Sequence, residues 1–423
     1  MAQFGGMKKE ELSQQLEALK KQYADYQSEG LKLDMSRGKP SPAQLDLSMD
    51  LLKITDYKGE TGIDARNYGN LEGMPEARKF FADMLGAKPE ETIVGGNSSL
   101  NLMFCMVDIG WRVGFPNSKK AWREETKPKF LCPAPGYDRH FRVTEYFGFE
   151  LVTVPMTATG PDMDIVEKLV KDESVKGMWC VPVYSNPDGY TYSDETVKRL
   201  AKMETAAPDF KIFWDNAYCV HHLSDENHDT VLNILDECRA ARNEDRPLMF
   251  CSLSKVTFPG ASVAAMAAAP AMTAYMADNL FPMTISFDKL NQLHHVKYLK
   301  DMDGLAAHMK KHAAIVKPKF DAVHEIFDAE LADLDETYWT RPNGGYFISL
   351  YTMHGCAKRT VQLCKEAGVV LTGAGAAYPY GIDPEDTNIR IAPTFPTLKE
   401  LKEAAHVLCV CLKIATIEKL LAA

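Results

Sequence analysis

Two hydrophobic rhythms divide the chain. Residues 8–28, "KKEELSQQLEALKKQYADYQS", carry Leu12, Leu16, Leu19, Tyr23 and Tyr26 at steps of three and four, which predicts a helix with one apolar face. From about 90 to 260 the rhythm changes to short apolar runs that stop at polar or Gly/Pro residues: "ETIVGGNSS", "KFLCPAPGY", "ELVTVPM", "KGMWCVPVYSNPDG", "FKIFWDNAY" and "LMFCSLSK". Helical stretches are expected between several of them, at 161–172, 194–206 and 228–242. That alternation predicts a largely parallel sheet covered by helices. After 310 the pattern becomes α+β: a long amphipathic helix to about 334, then "GGYFISLYT", a helix at 358–367, "VVLTGAGAAYP", "NIRIAPT" and a last helix at 397–421. The reading is a large domain over 61–310 and a smaller one over 311–423, with residues 1–60 contributing to the smaller.

The runs end in unusual residues. "GGNSS", "APGYD", "SNPDG", "WDNAY" and "SLSK" all fall at such ends. In open α/β sheets a ligand crevice lies beyond the carboxyl ends of the strands, so five ends can converge on one site.

Composition narrows the partners. The chain has 423 residues, with 48 Lys and Arg against 58 Asp and Glu, a net charge of −10. An acidic chain disfavours nucleic acid or an anionic membrane surface as the main partner and leaves a small anionic ligand possible in one cleft. The start "MAQFGGMKKEEL" is charged where a signal peptide is apolar, and no uncharged run approaches the ~18 residues of a span, so a cytoplasmic protein is expected. Ten cysteines are scattered without a CxxC, which reads as reduced core thiols. The pairs His221–His222 and His294–His295 have no carboxylate or cysteine partners at ligand spacing, so no metal site is expected.

Taken in order, "YSNPDG" (184–189), "WDNAY" (214–218), "SLSK" (252–255) and "NIRIAPT" (388–394) resemble the fold-type-I aminotransferases that use pyridoxal phosphate. "RNYGNLEGMPEAR" at 66–78 extends the likeness, and "SRGKPS" (36–41), "NYGNLEG" (67–73) and "CPAPGYDRHF" (132–141) are most similar to a divergent aspartate aminotransferase subgroup. The resemblance implies an α/β pyridoxal-phosphate transferase fold, with a mostly parallel seven-stranded-type sheet between helices plus a smaller α+β domain, and a homodimer with active sites at the subunit interface.

Each position also has a physical reading. Lys255, at a strand end in a partly desolvated crevice, would lose some preference for its charged form, and the neutral amine attacks an aldehyde; the family pattern makes it the Schiff-base lysine and proton carrier. Asp215 closes "KIFWD", where a carboxylate can pair with the pyridine nitrogen. The resemblance implies that Tyr218 and Asn186 donate to the ring's phenolic oxygen, that Tyr137 stacks on the ring, that His140 supports Asp215, and that Ser252 belongs to the cofactor set. The structural alternatives are a turn lysine, an N-cap aspartate, a core tyrosine and a turn asparagine.

For the phosphate, Asn97, Ser98 and Ser99 lie where glycines pass into an apolar helical run, a helix N-terminus suited to an anion. Tyr68 matches a tyrosine that reaches the neighbouring subunit's phosphate. One departure stands out: many relatives have an arginine about eight residues after the lysine, whereas "VTFPGASVAA" offers Ser262, which brings no charge. Arg390 is an arginine in an apolar run, costly unless paired, and its fork suits a substrate α-carboxylate. Gly38 matches the loop that closes over substrate. No arginine lies in 280–292, only Lys289, so Arg37, Lys39 or Arg139 is expected to meet a second carboxylate. The expected activity moves the amino group of aspartate or glutamate to a 2-oxo acid such as 2-oxoglutarate. An aromatic or broad-range aminotransferase, or a lyase or decarboxylase with the same cofactor, would share the core residues. A regulator carrying a DNA-binding domain is disfavoured by an extension of only about 35 residues before "SRGKP".

Overall fold

The computed structural model describes residues 4–334 and 336–422. Its central sheet uses the apolar runs as strands: β1 Thr92–Val94, β2 Lys129–Ala134, β3 Glu150–Thr157, β4 Gly160–Pro161, β5 Val175–Cys180, β6 Lys211–Asp215, β7 Pro247–Ser252 and β8 Ala264–Ala267. The order is β1-β8-β7-β6-β5-β2-β3-β4. The pairs β2–β3, β2–β5, β5–β6 and β6–β7 are parallel, while β8 runs antiparallel to both β7 and β1. Seven strands make the sheet that the family resemblance implies, and the two-residue β4 extends its edge.

Alternate residues of the inner strands enter different cores. Ile212, Trp214, Met249 and Cys251 join one cluster, whereas Phe213, Phe250, Phe130 and Met266 join another on the opposite face. Burial on both faces is why these strands read as continuous apolar runs. Strand β8 was not anticipated. Its "AAMA" has the composition of a helix, but Ala264–Ala267 is fully buried and hydrogen-bonded on both sides, so tertiary pairing overrides propensity.

Several helices are shorter than their patterns. The stretch 228–242 contains only Ile234–Ala240, because Asn233 caps it, its side chain accepting from Leu235 N and Asp236 N. The N-terminal helix, Lys9–Glu29, buries Leu12, Leu16 and Tyr23 in a third core with Met302–Glu330 and the last helix, Leu398–Ala422. Leu33–Asp34 pairs in parallel with Val369–Val370, and Tyr338–Trp339, Ile348–Tyr351 and Asn388–Ile391 form an antiparallel sheet. The N-terminal segment thus shares a core with the C-terminal part of the chain.

No described helix is long and apolar enough to cross a membrane. All ten cysteines are free thiols.

Candidate active site

Because β1, β2, β5, β6 and β7 point the same way, their carboxyl ends open on one side of the sheet. Asp215, the last residue of β6, is buried, and its Oδ2 accepts from His140 Nε2 at 2.9 Å. His140 stacks on Trp179 with 4.5 Å between ring centroids, which fixes the imidazole. Oδ1 of Asp215 is buried without a partner. A carboxylate oxygen left open in this way is costly unless a donor arrives from a ligand.

Lys255 follows β7. It is half-buried, with Nζ 4.8 Å from the centre of the Tyr218 ring and 5.9 Å from that of Tyr346. Tyr346 donates to the Lys255 carbonyl at 3.3 Å and accepts from Gln44 Nε2 at 3.1 Å, so the lysine's backbone is gripped by a residue 91 positions later. Burial, with Asp215 nearby, holds the Tyr218 phenol protonated well above its ordinary range, which keeps it a donor. Burial likewise pushes Tyr137 up to about 12, against the opposing pull of Lys255. Behind the lysine, His221 is lowered to about 3, by burial first and then by Lys255 and His312. That histidine stays neutral at physiological pH.

Asn186 is buried after β5, and its Oδ1 accepts from Arg390 Nη1 at 3.3 Å. Arg390 Nη2 donates to Thr372 Oγ1 at 3.1 Å, and the guanidinium lies 5.0 Å from the centre of the Phe347 ring. The side chain is only 10% exposed, and its Nε has no partner. Thr372 also donates to the Ser36 carbonyl at 2.6 Å, and Thr394 to that of Lys39 at 3.0 Å, which fastens the "SRGK" segment beside the arginine. Gly38 is required there, since a Cβ would collide with the Phe347 ring.

The opposite end is built of neutral groups. Ser98 caps the helix Ser99–Arg112, its Oγ accepting from Asn101 N at 3.4 Å, and the rest of the first turn keeps the N–H groups that a helix cannot pair internally. Ser252 donates to Ser254, which donates to the Asn97 carbonyl at 3.4 Å, tying the lysine turn to this loop. Ser262 is buried, and its hydroxyl donates to the Val263 carbonyl at 3.3 Å. Beside it lies a cleft of about 520 Å³ lined by Gly96, Asn97, Gly260, Ser262, Asn291 and His294 among others. Tyr68 is not drawn into the site of its own chain and is 79% exposed.

These groups fit pyridoxal phosphate. An amine stands over an aromatic ring, a buried carboxylate offers an open oxygen for a ring N–H, Tyr137 and Tyr218 flank the space, and a helix N-terminus faces the anion end. Arg37, Lys39 and Arg139 are exposed, and Lys39 Nζ sits 3.8 Å over the Phe395 ring. Lys289 instead donates to the Gly69 carbonyl at 2.8 Å and holds the Tyr68 loop. In the histidine pairs, His222 bonds Tyr184, His295 bonds Thr257 and His294 bonds the Asp56 carbonyl, while the ring nitrogens of His221 are buried without a partner. Sequence reasoning missed Thr372, Phe347 and Tyr346, which lie in the quoted runs "VVLTGAG" and "GGYFISL" without any charge to draw notice.

A family model described as aspartate amino-transferase matches residues 7–423. The chain is 45% identical over 405 residues to an aspartate aminotransferase of Corynebacterium glutamicum, covering 95% of this chain and 94% of that protein. The crystal structure of an aspartate transaminase from the same species superposes with a TM-score of 0.96 at 44% identity, covering 99% of both chains. The fold is shared more distantly with an alpha-aminoadipate aminotransferase of Thermus thermophilus complexed with N-(5'-phosphopyridoxyl)-L-leucine, at 22% identity, TM-score 0.72 and 95% coverage of both. Matched by that family model over nearly its whole length and by a relative at 45% identity, the chain belongs to the aspartate amino-transferase family, whose members here share the pyridoxal-phosphate transferase fold.

Proposed function

We propose that this chain is an aspartate transaminase, transferring the amino group of aspartate or glutamate to a 2-oxo acid such as 2-oxoglutarate, as a cytoplasmic homodimer. The observation that carries it is the grouping of Lys255, the open oxygen of Asp215 and the caged Arg390 around the Tyr218 and Asn186 side chains. The names of the relatives at 44–45% identity support the substrate. When bound, pyridoxal phosphate supplies an electrophilic aldehyde and an electron-withdrawing ring.

The chain's own groups do the rest. Lys255 would hold the cofactor and, once freed, is placed to carry the proton of the substrate α-carbon. Asp215 Oδ1 would accept a hydrogen bond from the ring N–H, and His140 keeps that carboxylate oriented. Tyr218 and Asn186 would donate to the ring's phenolic oxygen, and Tyr137 would cover the ring. Asn97, Ser98, Ser99, Ser252 and Ser262 would hold the phosphate end, joined by Tyr68 of a second copy. Arg390 grips the α-carboxylate, and Gly38 carries the loop that excludes water above it. Arg37, Lys39 and Arg139 are the cations available for the side-chain carboxylate. An absorbance spectrum of the purified protein, followed by donor assays with aspartate, alanine, tyrosine and kynurenine against 2-oxoglutarate, tests this reading; aspartate as a poor donor would reject it.

A further inference from the structure

Among the described residues, Arg390 has one ion-pair partner. Its Nη1 lies 3.4 Å from Asp138 Oδ1, while its other side-chain partners, Asn186 and Thr372, are neutral. Asp138 opens the helix Asp138–Tyr146, one residue after Tyr137. Its side chain is 37% exposed against 10% for the arginine, so it reaches the guanidinium from the solvent side of the cleft. A carboxylate in the first helical turn has a routine explanation, since it complements the helix dipole. That explanation does not account for its contact with an arginine 252 residues away.

The contact has a chemical consequence for any ligand of Arg390. A carboxylate approaching the guanidinium meets the Asp138 charge at the same Nη1, and must displace it or share the donor. An amino acid carries an ammonium on the carbon next to its α-carboxylate, within a few ångströms of wherever that carboxylate binds. A displaced Asp138 therefore attracts an amino acid and repels a carboxylate that lacks an ammonium. We propose that Asp138 is a specificity-determining residue, a resident counter-ion of Arg390 that favours zwitterionic amino acids over 2-oxo acids and dicarboxylates without an ammonium. This rests on the reading that Arg390 takes the α-carboxylate.

The test uses the cofactor-loaded protein and succinate, a dicarboxylate with no amino group, with the dissociation constant measured by calorimetry and by the change in visible absorbance. Asp138→Asn should bind succinate about 5- to 10-fold more tightly at low ionic strength, with the gain shrinking in high salt as the charges are screened. The Michaelis constant for aspartate should move less than that for 2-oxoglutarate, which should fall. Asp138→Glu, which keeps the charge, should restore wild-type succinate binding. Unchanged or weaker succinate binding in Asp138→Asn, or tighter binding that Asp138→Glu shares, overturns the inference. Arg390→Ala separates the two readings: if it loses succinate binding while Asp138→Asn gains none, only the role of Asp138 fails, whereas if it binds succinate like the wild type, the assignment of Arg390 fails first.

Discussion

The two anion-binding ends of the cleft are built on opposite plans. The Arg390 end is a buried cage, with a guanidinium held by Asn186, Thr372 and the Phe347 ring and balanced by Asp138. The end near Ser98 and Ser262 contains hydroxyls bonded to one another or to nearby main chain, beside the N–H groups that the first helical turn leaves open. A fixed cation in a low-dielectric cage is specific but expensive to hold, whereas a helix terminus offers partial charge with no buried ion. On the proposed function, the chain places its full charge where a substrate would be recognised on each turnover. It uses neutral groups where a cofactor tethered through Lys255 would stay.

That contrast can be broken at several points. The largest effect is expected from Lys255→Ala, which removes the tether: transamination and the visible absorbance of the bound cofactor should both be lost, and a purified variant that keeps the absorbance would falsify the assignment. Arg390→Ala should lower kcat/KM for aspartate by about 10- to 150-fold, on the order of 1.5–3 kcal/mol for a charge-assisted contact, with cofactor content unchanged. Loss of cofactor in parallel would make the arginine a scaffold residue instead.

The buried frame behind Arg390 is open to a stability test. Asp188 accepts from Tyr351 at 2.7 Å, and burial, against the hydrogen bonds of Ser349 and Tyr351, raises its carboxyl to about 6. The folded protein therefore holds this proton more tightly than the unfolded chain. Its contribution is present below the unfolded value of about 3.9 and is lost as pH rises through about 6, a change of about 2–3 kcal/mol. Asp188→Asn should raise Tm at pH 8 and leave it nearly unchanged at pH 4; equal shifts at both would remove the carboxyl from the account. The smallest effect is expected at Ser262→Ala. Its hydroxyl already donates to Val263, so cofactor affinity should fall less than about 3-fold, or ~0.6 kcal/mol. A tenfold drop in equilibrium dialysis would show that the serine binds phosphate, as the sequence pattern suggests.

Much of the sheet was legible because its inner strands are buried on both faces and so appear as apolar runs. The exception, Ala264–Ala267, carries too little side chain to declare a strand, and its pairing with β1 and β7 decides its conformation. Lys255, Asp215 and Asn186 were legible because each stands where an apolar run gives way to polar residues. Lys289 was weighed only as the lone cation of its segment. Its role in bonding the Gly69 carbonyl depends on a loop 220 residues earlier, a contact no local pattern announces.

The amino-acid sequence by itself determined the rhythm of strands and helices, the chemistry available at the strand ends, and the lack of an arginine after the lysine. These follow from residue type and short-range periodicity, which are properties of neighbours along the chain. Only the tertiary structure decided that Asp215 keeps one oxygen open, that Tyr346 holds the backbone of Lys255, and that Asp138 faces Arg390. Each of those depends on desolvation and on partners separated by 75 to 252 residues, and the energy of a charge or donor is set by what surrounds it in space.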